Sequence, residues 1–366
     1  MINDTHDEIN KKINNIRAAG FMIMAVLLFS LTPIFITWGE ADKFPFMYNA
    51  IRVIFTSIGT VIFLILFYHS QLFSREIWQA ILRNWRRWSL AGVIFGVFDY
   101  AVFGMSIRHI DVSVASVLFQ TWPLWMIFFT SKMFENEQRY ENVNRFGWTC
   151  ILMGFTGLVF VILSQVDEVV LGGENATWLD IFIGVSLASV AAILGALFSG
   201  CTIKWGATVL ADVPDCKDKI SDKELIIFFV LLAFIIASIP SVIIGGTIST
   251  FTEHKETMQF NNKLIAAALG LIISVAGIWK GIANVTTTQL EINAISYATP
   301  VFTLVFLAML GYINVPRIDW LIIGTTGIVT AIILLNLKKK FKTRHKYWTA
   351  GIWLCGVATH FLLPLI

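Results

Sequence analysis

Three ionisable side chains lie inside long apolar stretches of the chain, and they are the first candidates for chemistry: Asp99, Arg52 and Lys280. A charge in the membrane interior costs about 2.5–3.5 kcal/mol on insertion scales, so such groups usually face a cavity or pair with an opposite charge. Asp99 could bind a substrate ammonium or carry a coupled proton, or it could pair with Arg52. Arg52 could hold a substrate carboxylate bidentately, and Lys280 could serve substrate or coupling. Snorkelling towards headgroups, or bracing the fold, is the alternative for both basic residues.

Two apolar segments that each contain a proline carry the uncharged candidates. Pro123 and Pro300 stand 177 residues apart (300 minus 123), and at this offset polar positions align: Ser116 with Asn293, and Gln120 with Tyr297. A proline frees the carbonyl one turn earlier, where it can meet water or substrate if the backbone lines a cavity. The two polar stripes therefore predict one shared cavity with a hinge at each proline. Hydrogen bonding between helices is the alternative.

Aromatic residues adjoin these candidates. Tyr100 follows Asp99, and Trp122 precedes Pro123. With Tyr297 they could line the cavity and favour an apolar or cationic substrate by stacking or cation–π contact. Anchoring at the membrane interface is the usual role of tryptophan in such chains and remains the alternative.

The elements that must position these residues follow from composition. Hydrophobic residues make up 57% of the 366 residues, charged residues only 14%, and the mean hydropathy is +0.74. A soluble domain carries about 25% charge, so the sequence predicts an all-α integral membrane protein. Apolar runs long enough to cross a bilayer lie at 18–38, 45–68, 88–107, 112–133, 146–163, 178–203, 225–244, 264–285, 292–312 and 320–337. An eleventh candidate span lies at 347–366.

The spans divide into two similar halves. The offset of 177 also aligns Gly104 with Gly281, Phe129 with Phe306, Thr149 with Thr326 and Ile151 with Ile328. We therefore predict five-helix repeats at 18–164 and 178–337, preceded by a polar tail at 1–17 and followed by a basic linker at 338–346. Because five is odd, the second repeat must insert upside down. Inverted repeats of this kind are typical of secondary transporters.

The basic residues predict the orientation. With the N-terminus in the cytoplasm, inner segments hold 20 lysines and arginines and outer loops hold 5. This asymmetry follows the positive-inside rule and predicts a multi-pass protein of the cell (plasma or inner) membrane with a cytoplasmic N-terminus.

Several function classes find no support in the sequence. The four cysteines are dispersed without ligand spacing, so neither a metal site nor any cofactor is predicted. The phosphate-binding pattern G-x-x-x-x-G-K-[ST] is missing, and the basic residues form no nucleic-acid patch. The titratable residues of the spans are too scattered for an enzyme active site, so no enzyme activity is expected.

These residues resemble a known family, the drug/metabolite transporter superfamily with its paired EamA domains. The resemblance rests on Arg52, on Trp122-Pro123, on an acidic turn at Glu137 and on Gly147 in the first repeat. In the second it rests on Thr299-Pro300 and Gly324, although segment 225–244 has no arginine. Phe98-Asp99-Tyr100 and Trp122-Pro123 are in addition somewhat similar to aromatic amino-acid exporters.

The resemblance implies a secondary active transporter that moves a small organic metabolite, such as an amino acid, by alternating access. Export and coupling to protons are expected, and the partners are then the small-molecule substrate, the proton and the lipid bilayer. A channel or facilitator, and a polytopic membrane protein without transport activity, remain alternatives. Assembly as a homodimer is also left open.

Overall fold

A computed structural model describes residues 2–94, 100–122, 125, 145–163, 178–211, 222–253, 258–286, 299–313 and 318–336. Within these residues the regular structure is helical, with no strand. The helices are α1 Ile2–Ser30, α2 Thr32–Trp38, α3 Pro45–Leu72, α4 Arg75–Arg83, α5 Trp85–Gly92, α6 Tyr100–Ser106, α7 Val112–Phe119, α8 Arg145–Leu163, α9 Trp178–Ala211, α10 Asp222–Thr252, α11 Phe260–Thr286, α12 Thr299–Met309 and α13 Ile318–Asn336.

Five segments of the described chain are long and apolar enough to cross a membrane. They are Ile16–Trp38, Pro45–Leu72, Trp178–Phe198, Ile227–Thr252 and Phe260–Ala283. The chain is therefore an all-α, multi-pass membrane protein, as its composition predicted. The count of ten spans, the inverted repeat, the membrane and the side of the N-terminus stay predictions.

The first predicted span is not one continuous helix. α1 ends at Ser30, Leu31 forms a turn, and α2 begins at Thr32. Pro33 explains the break, because it has no backbone N–H to donate to the carbonyl of Phe29 and it fits well only in a first helical turn. α1 begins at Ile2 and so includes most of the predicted polar tail at 1–17, whose location in the cytoplasm stays a prediction.

The predicted span at 88–107 includes α5, a π turn at Val93 and Ile94, and α6, and its residues 95–99 lie outside the described residues. The predicted span at 112–133 is interrupted, since α7 ends at Phe119 and residues 120 and 121 form a turn. Pro123 supplies the reason, since it cannot donate to the carbonyl of Phe119. The basic linker at 338–346 and the candidate span at 347–366 lie outside the described residues.

α3 packs against α10 and α11. Its N-terminus is capped from another helix, because the carboxylate of Glu253 accepts hydrogen bonds from the backbone N–H groups of Phe46 at 2.5 Å and Met47 at 3.2 Å. A carboxylate is favourable there because it meets the positive end of the helix dipole. This contact fixes the depth of α3 relative to α10.

The same end of the bundle holds a second polar link between elements. Lys43 donates a hydrogen bond to Glu40 and, with Asn262 of α11 donating a second one, holds the pKa of that carboxyl below its usual range. Glu40 itself has a positive φ of 50°, in the turn that joins α2 to α3. The link therefore ties this turn to the start of α11.

α8 and α13 pack against each other in opposite directions. Near the end of α8, the ring of Phe160 meets Trp320 at the start of α13 edge to face, with centroids 5.9 Å apart. At the middle, a methyl group placed on Gly157 would lie 2.6 Å from the carbonyl oxygen of Gly324. Cys150 and Met153 near the start of α8 cluster with residues near the end of α13. The two glycines allow this close antiparallel approach.

Candidate functional site

Arg52 is fully buried in the middle of the bundle, on α3. The Oδ1 atom of Asn49, one turn earlier, accepts two hydrogen bonds from its guanidinium, 2.9 Å from Nε and 2.7 Å from Nη2. The guanidinium carbon lies 3.9 Å from the centroid of the Tyr100 ring. A cation over an aromatic face gains up to about 2 kcal/mol when both are desolvated. Arg52 is thus held in place from α3 and α6.

Tyr100 is itself positioned by packing. It is the first residue of α6, and its ring meets Phe119, the last residue of α7, nearly edge to face with centroids 5.5 Å apart. The ring of Phe103 of α6 also packs against Phe119, with centroids 4.9 Å apart. The Arg52 layer therefore draws on three helices, α3, α6 and α7.

α3 lies directly against α11 at the level of Arg52, in what we name the first glycine contact. A Cβ on Gly270 would overlap the carbonyl oxygen of Arg52 and approach the Cβ of Phe55 to 2.8 Å. The hydroxyl of Thr56 donates to the carbonyl of Arg52 at 2.9 Å and to that of Gly270 at 3.0 Å. One turn further on, Thr60 and Ser274 approach to 3.2 Å. The two backbones are joined where the arginine is held.

α10 and α5 meet in the same manner, in the second glycine contact. A Cβ on Gly92 would overlap the carbonyl of Ala237 and lie 2.6 Å from Cγ of Pro240. The hydroxyl of Ser241 donates to the carbonyl of Ala237 at 2.9 Å and to that of Gly92. Here no charged residue takes part, since Ala237 occupies the place that Arg52 has in the first contact.

Lys280 forms a second site with an aromatic partner. Its ammonium on α11 lies 4.4 Å from the ring centroid of Trp122 and 5.9 Å from that of Phe29 on α1. Within the described part of the chain, no hydrogen bond or ion pair of this ammonium is found. Among the described residues this half-buried ammonium is thus held only by aromatic faces, and a cation within a membrane span usually marks a functional site.

The uncharged candidates of α7 are buried and largely satisfied by their own helix. The hydroxyl of Ser116 donates to the carbonyl of Val112 at 2.5 Å. Gln120 is 8% exposed and lies in the turn that follows α7. The hydroxyl of Thr121 donates to the carbonyl of Leu118 at 2.6 Å, which supports the chain where the helix ends. Ser116 thus has a local partner, whereas Gln120 stands at the break.

Pro300 lies in the first turn of α12 and is buried. The hydroxyl of Ser30, at the end of α1, donates to the carbonyl of Thr299 at 3.2 Å, and Thr303 donates to the carbonyl of Ser30 at 3.4 Å. The end of α1 thus contacts α12 beside this proline. Asp99, Pro123, Asn293 and Tyr297 lie outside the described residues.

The structure brings the predicted residues together in two pairs, Arg52 with Tyr100 and Lys280 with Trp122. Sequence reasoning named all four but paired none of them, because each pair joins distant parts of the chain. It missed Phe29, which is one apolar residue among many in α1. It also missed Ser241, although a serine in the same helix as Pro240 is a signal of interhelical bonding.

Comparisons with known proteins bear on the fold. No family model matches the chain, and no curated protein matches it. Seven chains of solved structures match it. One of them, described only as "Crystal structure of protein", has a TM-score of 0.54 at 16% sequence identity, over 88% of this chain and 99% of that chain. The architecture described above is thus shared with a solved structure over nearly the whole length of both chains.

Proposed function

We propose that the chain is a secondary active transporter of the drug/metabolite type, with ten transmembrane helices arranged as two inverted EamA-like repeats. It exports a small organic metabolite, such as an amino acid or a related compound, by alternating access in exchange for protons. Its N-terminus lies in the cytoplasm, and the membrane is the plasma or inner membrane. The observation that carries the proposal is the pair of glycine contacts.

The two contacts are related residue by residue. Arg52 and Thr56 of α3 correspond to Ala237 and Ser241 of α10, both at an offset of 185, and Gly270 of α11 corresponds to Gly92 of α5 at 178. In the predicted order of the ten spans, the first glycine contact joins span two to span eight, and the second joins span seven to span three. A shift of five spans exchanges one pair with the other. An internal duplication explains this repetition directly.

Other neighbouring helices support the same relation. α1 contacts α11 and α12 in the bundle. α9, the first helix of the predicted second repeat, contacts α6 and α7, which are the counterparts of those two helices in the first repeat. α3 with α10, and α8 with α13, each join a helix to its own counterpart. The antiparallel course of α8 and α13 is what two oppositely inserted fifth helices require. An inverted pair of repeats supplies two equivalent conformations, open to opposite sides of the membrane.

The register of the repeat supports it too. Gly92 and Gly270 differ by 178 residues, whereas Gly104 and Gly281 differ by 177. The first repeat thus has one extra residue in this interval, and the interval begins with the π turn at 93–94. A π turn accommodates a single inserted residue and occurs frequently at functional sites. Asp99 lies within the same interval of the sequence.

Charged side chains inside the bundle support the binding of a charged solute. Among the basic side chains of the five candidate spans, Arg17 and Lys263 are exposed, while Arg52 and Lys280 are not. Asp99 is the acidic residue that the sequence adds to this interior. In the proposed mechanism Asp99 carries the coupled proton, and Lys280 holds the anionic group of the solute or alternates with it as a proton carrier.

The test begins with identification of the solute. Metabolite levels are compared between cells with and without the protein, and the compound that changes most is assayed in proteoliposomes. We expect saturable, concentrative uptake that is driven by an imposed proton gradient and shows counterflow. Conductance that does not saturate would instead support a channel, and the absence of any solute flux would contradict transport.

Two variants test the proposed roles within that assay. Asp99→Asn is expected to abolish proton-driven flux. Lys280→Gln is expected to lower it at least tenfold, because the solute loses its counter-charge. Lys263→Gln is the matched control, an exposed lysine on the same helix as Lys280. Normal flux by Lys280→Gln at every pH would refute the role of Lys280 and leave the transport proposal standing.

A further inference from the structure

α4 has three distinct faces. Ile77, Ala80 and Ile81 are buried against the bundle, at most 3% exposed. Next to them around the helix come two exposed apolar residues, Trp78 at 39% and Leu82 at 64% exposure. The remaining face is polar and includes Arg75 and Arg83, both exposed. A helix with a protein face, an apolar face and a basic face is suited to the boundary between hydrocarbon and headgroups.

The connection to α5 continues this pattern. Asn84 separates the two helices, and its side chain donates to the carbonyl of Ala80 at 3.0 Å. Trp85 beyond it is 58% exposed, and the guanidinium of Arg86 lies 5.7 Å from its ring centroid. Arg87 is exposed as well. We name Arg75, Arg83, Arg86 and Arg87 the basic collar.

The positive charge of the basic collar has no acidic partner among the described residues. Segment 75–87 contains these four arginines and a single acid, Glu76. Among the described residues no ion pair or hydrogen bond of the four guanidinium groups is found. The aromatic contact of Arg86 supplies no counter-charge.

The position of the basic collar along the bundle agrees with a headgroup region. α3 spans to Leu72, and Phe73 directly after it is 76% exposed. The opposite end of α3 is acidic, with Glu253 capping the helix and Glu40 close by. The basic collar thus lies at the end of the bundle opposite Glu253 and Glu40, together with the exposed side chains of Phe73, Trp78 and Trp85. Tryptophan and arginine together are characteristic of the interfacial layer.

We propose that the basic collar binds the headgroups of anionic phospholipids, with Trp78, Leu82 and Trp85 inserted between the adjacent acyl chains. Anionic headgroups supply the negative charge that is not found around the four guanidinium groups in the described part of the chain, and guanidinium forks bind phosphate bidentately. Lipid binding of this kind requires only that the chain spans a membrane, so it does not depend on the proposed transport activity.

The experiment compares phosphatidylglycerol with phosphatidylcholine as ligands of the purified full-length protein. Native mass spectrometry counts bound lipids at equal lipid concentrations, and we expect clear selectivity for phosphatidylglycerol. Each arginine replaced by glutamine should weaken phosphatidylglycerol binding about fivefold and leave phosphatidylcholine binding unchanged. The matched control replaces Lys43, Arg108 and Lys263 by glutamine, because these exposed basic residues lie at the acidic end.

Two further arms decide the remaining outcomes. If the quadruple variant fails to insert, the wild-type protein is measured at rising salt, where selectivity must fall because exposed charges are screened. Inorganic phosphate is tested as a competitor and should not displace the lipid at equal phosphate concentration. Equal binding of both lipids by the wild-type protein, selectivity that survives in the quadruple variant, or full displacement by phosphate would each overturn the proposal.

Discussion

The first and second glycine contacts are alike in backbone and different in chemistry. In each, a glycine of one helix meets a backbone carbonyl of another, and a hydroxyl one turn further on donates to carbonyls of both helices. At the central position, however, the first contact has Arg52 with Asn49 and Tyr100, and the second has Ala237. The shared part is what close helix packing requires. The part that differs is free to serve function.

The comparison indicates where the molecule tolerates change. Helix backbones can approach this closely only if one partner lacks a Cβ, so both glycines are required by geometry. Nothing in that geometry requires a buried arginine, because Ala237 fills the corresponding place. Arg52 therefore serves either the transported solute or the local stability of the bundle. The second glycine contact is the internal control, because it shows that this close packing forms without an arginine.

The largest effect is expected from the glycines themselves. Gly92→Ala and Gly270→Ala should each lower the free energy of unfolding by about 3 kcal/mol, because the added methyl group meets a backbone carbonyl that cannot move without shifting a helix. Thermal unfolding of the purified protein in one detergent measures this. Equal losses in both variants would confirm that the two contacts are equivalent.

Two other glycines serve as matched controls. A Cβ on Gly277 of α11 or on Gly246 of α10 would meet nothing within 4 Å. Gly277→Ala and Gly246→Ala should therefore be neutral or stabilise by up to about 1 kcal/mol, as alanine does in a helix interior. A loss in these variants as large as in Gly92→Ala would refute the steric explanation.

Converting the first contact into the second is the next largest change. Arg52→Ala removes both donors from the Oδ1 atom of buried Asn49 and should cost about 2 kcal/mol of stability. Arg52→Lys keeps a charge but cannot present the same fork, so it should recover only part of that loss. If flux falls far more than stability in both variants, Arg52 serves the solute; a parallel loss assigns it to bracing.

A smaller effect is expected one turn away on α3. A Cβ on Gly59 would lie 2.6 Å from Oγ and 2.9 Å from Cβ of Ser274, so it meets a side chain and not a backbone carbonyl. Gly59→Ala should therefore cost about 1 kcal/mol, less than Gly270→Ala on the facing helix. The double variant with Ser274→Ala removes the Oγ contact but keeps the Cβ contact, so it should regain only part of this loss. A loss as large as that of Gly270→Ala would show that the helices themselves are displaced.

The smallest effects should come from the hydroxyls. Thr56→Val and Ser241→Ala each remove one interhelical hydrogen bond, and such bonds average about 0.6 kcal/mol in membrane proteins. Each substitution deletes the donor itself, so no bare donor remains, and the carbonyls that accepted from it belong to helix backbone. Unfolding in mixed micelles with rising denaturing detergent resolves differences of this size. A much larger loss in one variant alone would break the equivalence of the contacts.

Sequence reasoning was accurate where a local pattern controls the structure. The start of α3 at Pro45 and the distortion at Tyr68, with φ −136°, agree with the predicted span 45–68. Reasoning failed where a break is set by one residue inside an apolar run, as at Pro33. It also missed α4, because a short amphipathic helix between two spans differs little from a polar loop in hydropathy.

The candidate site was predictable in its members but not in its arrangement. Arg52 and Lys280 stand out because charge in an apolar run is rare. Their partners Tyr100 and Trp122 were named as aromatic candidates on other grounds. Which ring faces which cation depends on how α6 and α11 cross their neighbours, and hydropathy contains no information about that crossing.

The amino-acid sequence by itself determined that this is an all-α, multi-pass membrane protein, because an apolar run in hydrocarbon must satisfy its own backbone and does so as a helix. It also determined which few side chains are costly enough there to need a reason. The tertiary structure alone decided that Arg52 lies under Tyr100, that Lys280 lies over Trp122, and that two glycine contacts repeat with different centres. Those facts arise from contacts between residues far apart in the chain, and only packing brings such residues together.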